Sequence, residues 1–195
     1  KNKADIVISC GSSSAAGNFL ISRENSAKSI AVLRPGLLST KKFDLVIMPK
    51  HDNPPRRKNI VVTDGALNLL DQAYLKEQAA KLIPGPGLYI GLLIGGDSKN
   101  FQLKKGQIRE VLGQVKSAAQ DLEAQILVTT SRRTSPEIET LVKEELKDCP
   151  GCKLLVIANE KNIPEAVGGI LGSSQIVIVS PESISMISEA ASSKK

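Results

Sequence analysis

The sequence predicts an α/β protein in which helices flank parallel β-sheets. Short apolar, β-branched segments alternate with amphipathic helical patterns, an order typical of parallel strands joined by crossover helices. Continuous apolar runs such as LLVIA at 154–158 and IVIV at 176–179 indicate strands that are buried on both faces. The apolar fraction of 41% is sufficient for a core, and with only 3% aromatic residues we expect this core to be aliphatic.

The alternation of strands and helices is most regular in the second half of the chain. Strands are predicted at residues 5–9, 29–33, 45–48, 60–63, 88–94, 125–129, 153–158 and 175–179. Helices are predicted at residues 13–23, 104–122, 136–147, 164–171 and 181–191, with a further helix ending near Lys81. In the helix at 104–122, Ile108, Leu112 and Val115 recur at helical spacing and predict one buried face.

A proline- and glycine-rich segment at residues 82–87, LIPGPG, indicates a domain boundary. Proline restricts the backbone and glycine frees it, so the segment is typical of a hinge. We therefore expect a first domain over residues 1–83 and a second over residues 84–195. The chain starts at Lys1 without methionine, and predicted elements lie very close to both termini. We expect a piece of a longer protein, truncated at both ends, with an incomplete first domain.

Composition restricts the classes of partner. The net charge of +6 favours anionic partners. A nucleic-acid partner is not expected, because the chain has neither a dense basic stripe nor stacking aromatic residues; its one basic cluster is Arg56-Arg57-Lys58. No apolar run reaches the roughly 18–20 residues that span a bilayer, and no signal peptide is visible. Three cysteines fit a reducing compartment, so a cytoplasmic location is expected.

The most informative loop is Ser131-Arg132-Arg133-Thr134, which follows one predicted strand and precedes a helix. In open α/β sheets, ligands bind at the carboxyl ends of the strands. Two guanidinium groups and two hydroxyls beside free helix N–H groups suit an anion, most often a phosphate. The loop therefore predicts a phosphorylated small molecule, and in particular a nucleotide derivative. The alternative is a solvated pair of charges.

Two other strand ends support a phosphate site. Gly95-Gly96 would let a ligand approach the backbone closely, or would form a plain tight turn. No Gly-Lys-Ser/Thr follows, so this is not a Walker loop. Ser180 is predicted to be the N-cap of the last helix, with Pro181 at its first position and Ser183 in its first turn. That helix start would suit a diphosphate, although a capped helix needs no ligand.

The remaining polar motifs are weaker. His51 is the only histidine and lies in the loop PKHDNPP, where Asp52 would tune it as a general base. An ordinary loop histidine is the alternative. No cluster of residues has metal-ligand spacing, so no protein-bound metal is expected. Cys149-Pro150-Gly151-Cys152 follows a helix and precedes a strand, which predicts a turn and not a thioredoxin-type site.

Five segments together resemble the ELM1 family in order and spacing. They are HDNPP (51–55), TDGALN (63–68), LLIGGDS (92–98), VTTSRRTS (128–135) and SPESISMISEA (180–190). The family is described both as mitochondrial-fission ELM1-like proteins and as GT-B-type glycosyltransferases. The resemblance covers nearly the whole chain. It implies two Rossmann-like domains facing each other across a cleft, a nucleotide-diphospho-sugar donor such as a UDP-sugar, and no permanently bound cofactor.

The resemblance also implies roles for individual residues. Phosphate groups of the donor would lie near Gly95, Gly96, Ser131, Arg132, Arg133, Thr134, Ser183 and Ser185. The nucleoside would lie near Asn159, Glu160 and Glu189, the last of these on the ribose. His51, with Asp52, would be the base that activates the acceptor.

Three functions follow from these observations. The first is transfer of a sugar from a nucleotide-diphospho-sugar to an unknown acceptor, a lipid or a saccharide. The second is a non-catalytic interaction or recruitment protein on the same fold, related to membrane dynamics or the envelope. It would contact the inner membrane face peripherally through Arg56, Arg57 and Lys58. The third, an enzyme with a Rossmann cofactor, is disfavoured because no Gly-x-Gly-x-x-Gly follows any strand.

Overall fold

The computed structural model describes residues 3–83, 85–98 and 101–194. The chain forms two parallel four-stranded sheets with flanking helices, so the predicted Rossmann-like α/β fold is confirmed. It divides into two compact units, Lys1–Leu67 and Asn68–Lys195. No helix among the described residues is both long enough and apolar enough to cross a membrane.

The first unit is a parallel sheet in the order β1-β2-β3-β4. Its strands are β1 (Ile6–Cys10), β2 (Lys28–Val32), β3 (Leu45–Pro49) and β4 (Ile60–Thr63). Helix α1 (Ser12–Asn25) and two short 3-10 helices, Thr40–Lys42 and Lys50–Asp52, connect them. Ala15 of α1 packs with Ala31, Val46 and Met48 on one face of the sheet. On the other face, Ile6 and Ile8 are exposed.

The second unit contains five helices and four strands among its described residues. Its helices are α2 (Gln72–Leu82), α3 (Lys105–Asp121), α4 (Pro136–Leu146), α5 (Ala166–Ser173) and α6 (Ile184–Ser193). Its strands are β5 (Tyr89–Ile94), β6 (Gln125–Thr130), β7 (Cys152–Val156) and β8 (Ile176–Val179). Most bounds lie within about two residues of the prediction, the usual uncertainty of helix and strand ends. The start of α6 is the main exception.

The strand order in the second sheet decides where a ligand site would form. The order is β7-β6-β5-β8, with every pair parallel. The chain runs outward from β5 through β6 to β7, and then crosses back to place β8 on the other side of β5. The boundary between β5 and β8 is therefore a topological switch point, and ligands of open α/β sheets bind outside the carboxyl ends of the strands there.

Helices cover both faces of this sheet. Helices α3 and α4 cover one face through Ile108, Leu112, Ile138 and Leu141, which pack with Ile90, Leu92, Ile126 and Val128. On the other face, Leu75 of α2 and Ile170 and Leu171 of α5 pack against Leu93 and Leu127.

Helix α2 belongs to the second unit because it packs closely on α5. A Cβ atom on Gly169 or Gly172 of α5 would meet α2 at less than 3.0 Å, so only glycine permits this approach. The two compact units divide after Leu67, before α2, and the domain boundary between residues 83 and 84 stays a prediction. Pro84, Lys1 and Lys195, on which the boundary and end predictions partly depended, lie outside the described residues.

Candidate functional site

The loops after β5, β6 and β8 meet at the carboxyl edge of the second sheet. Gly95, the first residue after β5, connects both neighbouring loops. Its N–H donates a hydrogen bond to Ser180 Oγ at 2.7 Å, and its carbonyl oxygen accepts one from Thr134 Oγ1 at 2.6 Å. The three loops thus form one hydrogen-bonded assembly at the switch point.

The glycine pair allows this close assembly. A Cβ on Gly96 would lie within 3.0 Å of the backbone of Arg133 and Thr134, and a Cβ on Gly95 would meet Glu182 and Ser183 at the same close range. Both glycines are buried. The N–H of Gly95 is engaged by Ser180, so the direct contribution of this pair is to let the neighbouring loops converge.

The Ser131–Thr134 turn carries two exposed arginines, and hydrogen bonds hold its backbone in place. Thr134 is only 2% exposed, and its Oγ1 accepts a hydrogen bond from Ser131 N at 2.9 Å. Ser131 Oγ accepts one from Arg133 N at 3.1 Å. Arg132 and Arg133 are exposed, and no carboxylate among the described residues forms an ion pair with either. Both guanidinium groups are therefore available to an anion.

Helix α6 begins later than predicted. Its N-cap is Ser183 and its first residue is Ile184, so the prediction that Ser180 caps the helix was wrong. The reason is that Ser180 Oγ accepts the Gly95 N–H and donates to Glu182 Oε1 at 2.7 Å. Ser183 is 3% exposed, and its side chain makes no capping hydrogen bond. Ser185, in the first turn, is exposed.

Glu182 is a member of this assembly that the sequence did not single out. Its Oε1 accepts the hydrogen bond from Ser180, but its Oε2 is buried and has no hydrogen-bond partner among the described residues. A buried acceptor left without a donor costs about 1–3 kcal/mol. The structure thus holds an unsatisfied oxygen at the switch point. No local pattern indicates it, because the residues around it come from different strands.

Asn159 and Glu160 lie at the end of β7 and are exposed. Asn159 Nδ2 donates to Glu139 Oε1 at 2.8 Å and to Thr134 O at 3.3 Å, which ties this loop to the Ser131–Thr134 turn. The Glu160 carboxylate forms an ion pair with Lys143. Both side chains therefore have partners within the protein.

Glu189 lies in the second turn of α6 and is partly buried, and this burial raises the pKa of its carboxyl group. No ion pair to it is found in the part of the chain that the structure describes. The helix that carries it is held by Asn68, whose Nδ2 donates to Ser188 O at 3.3 Å and Ser192 Oγ at 3.0 Å. Asn68 gives a structural role to part of the TDGALN segment.

His51 and Asp52 lie in the first unit, in the 3-10 helix after β3. His51 Nε2 is 3.9 Å from Asp52 Oδ1, and the two side chains are 37% and 33% exposed. The Arg34 guanidinium, which the sequence did not indicate, donates to the backbone oxygens of Asp52 and Asn53. These contacts fix the end of the turn that carries the histidine. Among the described residues, no group of three or more histidine, cysteine or acidic side chains is arranged to hold a metal.

One cavity of the second unit borders this carboxyl edge, and another lies at the opposite edge of the sheet. An apolar cavity of about 230 Å³ lies between α3 and β8, and Ser180 and Pro181 form part of its wall. A wider cleft of about 620 Å³ is lined by Cys149, Pro150 and Gly151 at the opposite, amino edge of the sheet. The larger cavity therefore lies away from the convergent loops, which stand at the switch point of the sheet, where ligands of open α/β sheets bind.

Comparison with known proteins identifies the family. The family model described as mitochondrial fission ELM1 matches residues 1–195. No curated protein matches the chain. Because the family model spans the full sequence, the chain belongs to the mitochondrial fission ELM1 family.

Proposed function

We propose that the protein is a GT-B-type glycosyltransferase whose second unit binds a nucleotide-diphospho-sugar at the carboxyl edge of its sheet. The observation that carries the proposal is the convergence of the loops after β5, β6 and β8 at the switch point, beside two arginines without ion-pair partners. Ligands of open α/β sheets bind at this location.

The charge at this edge supports an anionic ligand. Arginine binds phosphate oxygens through two parallel hydrogen bonds. Arg132 and Arg133 are exposed on a turn in which Thr134 is buried. The first turn of α6 adds free backbone N–H groups and the positive end of the helix dipole. In this proposal the diphosphate lies between the arginines and Ser183 and Ser185, and Gly95 and Gly96 let the loops close around it.

The carboxylate and amide groups at this edge suit the uncharged parts of the donor. Glu189 is partly buried on α6, and its carboxyl group would bind the ribose hydroxyls. Asn159 and Glu160 would border the base. The unpaired Glu182 Oε2 would accept a hydrogen bond from a hydroxyl of the ligand, which would remove the cost of burying it.

The proposed reaction is direct displacement at the anomeric carbon. The acceptor hydroxyl attacks this carbon, the bond to the diphosphate oxygen breaks, and a base takes the hydroxyl proton. Arg132 and Arg133 stabilise the charge on the departing nucleoside diphosphate. His51, with Asp52, is the candidate base. A His51→Gln substitution should then abolish transfer and leave donor binding unchanged.

Thermal stability in the presence of nucleotides tests the donor site. A ligand that binds only the folded state at a concentration of about 100 times its Kd adds roughly 2.7 kcal/mol of stability. We expect one nucleoside diphosphate and its sugar derivative, such as UDP and a UDP-sugar, to raise the melting temperature. Arg132→Ala and Arg133→Ala should each reduce this shift.

The matched control is Lys153→Ala. It removes one positive charge from an exposed residue of the same unit, at the amino end of β7 and away from the proposed site. This variant should keep the full ligand-induced shift. A melting temperature that no nucleotide or nucleotide sugar changes would exclude the proposal, as would equal losses in all three variants.

A second candidate function is a non-catalytic protein that contacts anionic membranes on the cytoplasmic face of the inner membrane. Arg56, Arg57 and Lys58 are exposed and form no ion pairs with the described residues, and the family description names mitochondrial fission. Basic residues near an anionic surface contribute about 1 kcal/mol each. Flotation with phosphatidylserine vesicles tests this function. Binding that is lost when these three residues become alanine, but survives Arg132→Ala, would favour it.

A further inference from the structure

The Cys149-Pro150-Gly151-Cys152 segment lies apart from the candidate site. It connects the end of α4 to β7 at the amino edge of the second sheet. Both cysteines are free thiols and partly exposed, and Cys149 borders the 620 Å³ cleft. The Cys149 thiol is therefore accessible to a small molecule. The proposed glycosyltransferase function gives them no role.

The backbone brings the two cysteines into the geometry that a disulfide needs. Cys152 N donates to Cys149 O at 3.0 Å, so the cysteines are the first and fourth residues of a hydrogen-bonded turn. Such residues have Cα atoms less than about 7 Å apart, and disulfides join Cα atoms roughly 4.4–6.8 Å apart. The Cα separation in the turn therefore suits a disulfide, and to form it Cys152 Sγ must leave its contact with Leu154 O at 3.7 Å.

The turn is also held in place from both sides. Cys149 N donates to Leu146 O at 3.2 Å, at the end of α4, and Ile126 N of β6 donates to Gly151 O at 2.7 Å. Pro150 restricts the backbone inside the turn. The pKa of the Cys152 thiol is raised, first by burial and second by the charge that Cys149 carries when it is ionised.

We propose that Cys149 and Cys152 form a redox-active dithiol that exchanges with a small-molecule disulfide such as glutathione disulfide. One protein thiolate attacks glutathione disulfide, forming a mixed disulfide and releasing one glutathione. The second protein thiolate attacks the protein sulfur of that mixed disulfide and releases the second glutathione. Two protein thiols are oxidised, one glutathione disulfide is reduced, and the two protons end on the two glutathione molecules.

This site differs from that of a thioredoxin-type oxidoreductase. The pair does not lie at a helix N-terminus, so no helix dipole stabilises a thiolate, and burial of Cys152 opposes its ionisation. The exchange is therefore expected to be slow. What favours closure is the fixed turn, which keeps the second thiol beside the mixed disulfide once it forms.

The experiment equilibrates the full chain with glutathione and an excess of glutathione disulfide, alkylates the remaining thiols, and identifies the products by mass spectrometry. We expect the wild-type protein to lose two hydrogen atoms in a bond between Cys149 and Cys152. Cys152→Ser and Cys149→Ser should instead accumulate a glutathione adduct on the remaining cysteine. That adduct should be at least about tenfold more abundant than in the wild type, because the resolving thiol is absent.

Cys10→Ser is the matched control, since Cys10 is an exposed cysteine of the first unit. It should form the Cys149–Cys152 bond as the wild type does. Equal adduct levels in the wild type and the single-serine variants would overturn the proposal. So would a wild-type protein whose thiols at both positions remain reduced while Cys10 reacts.

Discussion

The close approach of the β5 and β6 loops predicts that Gly96→Ala is strongly destabilising. A Cβ at this position would lie within 3.0 Å of the carbonyl carbon and oxygen of Arg133 and of the Thr134 nitrogen, where ordinary contact begins at 3.4 Å. All three atoms belong to the backbone, so no side-chain rotation relieves the overlap. Gly96 does not have a positive φ, so the effect arises from space alone.

The size of the destabilisation by Gly96→Ala depends on the contacts that are lost when the two loops separate. Separating the loops would strain or break the hydrogen bond from Thr134 Oγ1 to Gly95 O at 2.6 Å. This bond contributes about 1 kcal/mol, and overpacking typically costs about 1–3 kcal/mol in itself. We therefore expect a loss of about 3 kcal/mol in the free energy of unfolding of the second unit.

Urea unfolding followed by far-ultraviolet circular dichroism measures this loss. Gly113→Ala is the control, because Gly113 lies on α3 and a Cβ there would meet nothing within 4 Å. This control should be stabilising by about 0.5–1 kcal/mol, since alanine favours helix more than glycine does. A Gly96→Ala variant within about 0.5 kcal/mol of the wild type, the range of an ordinary surface substitution, would refute the packing argument.

Two further predictions concern pH. Hydrogen bonds from Ser29 and the nearby Lys28 lower the pKa of Asp44 from 3.8 to about 2. This contribution to stability is present above pH 3.8 and is lost as the pH falls towards about 2, so acid unfolding of Asp44→Asn should lack this component. Burial raises the pKa of Glu189 above 4.5, so its charge costs stability as the pH rises past that value. Glu189→Gln should therefore melt at a higher temperature than the wild type at neutral pH and show no such gain below pH 4.5, and an unchanged difference across pH would contradict this.

The sequence by itself determined the types of the elements and their order. Local signals were sufficient for this, because burial of a helix or strand sets the spacing of apolar residues within that segment alone. Examples are the apolar run at residues 176–179 and the helical spacing of Ile108, Leu112 and Val115. The helix start after Ser135 is also local: its hydroxyl accepts a hydrogen bond from Ile138 N, and Pro136 follows it. The prediction that Ser131–Thr134 is a loop between a strand and a helix has the same origin.

Only the tertiary structure decided what these loops contact. Gly95 and Ser180 are 85 positions apart, and their hydrogen bond exists because β8 pairs with β5. In that bond the acceptor is the Ser180 hydroxyl, which was predicted to cap α6. The same hydroxyl donates to Glu182 Oε1. Strand order and helix packing are set by contacts between distant segments, which no local pattern contains. The sequence therefore predicted that an anion binds at this edge, and the fold determined which residues meet there.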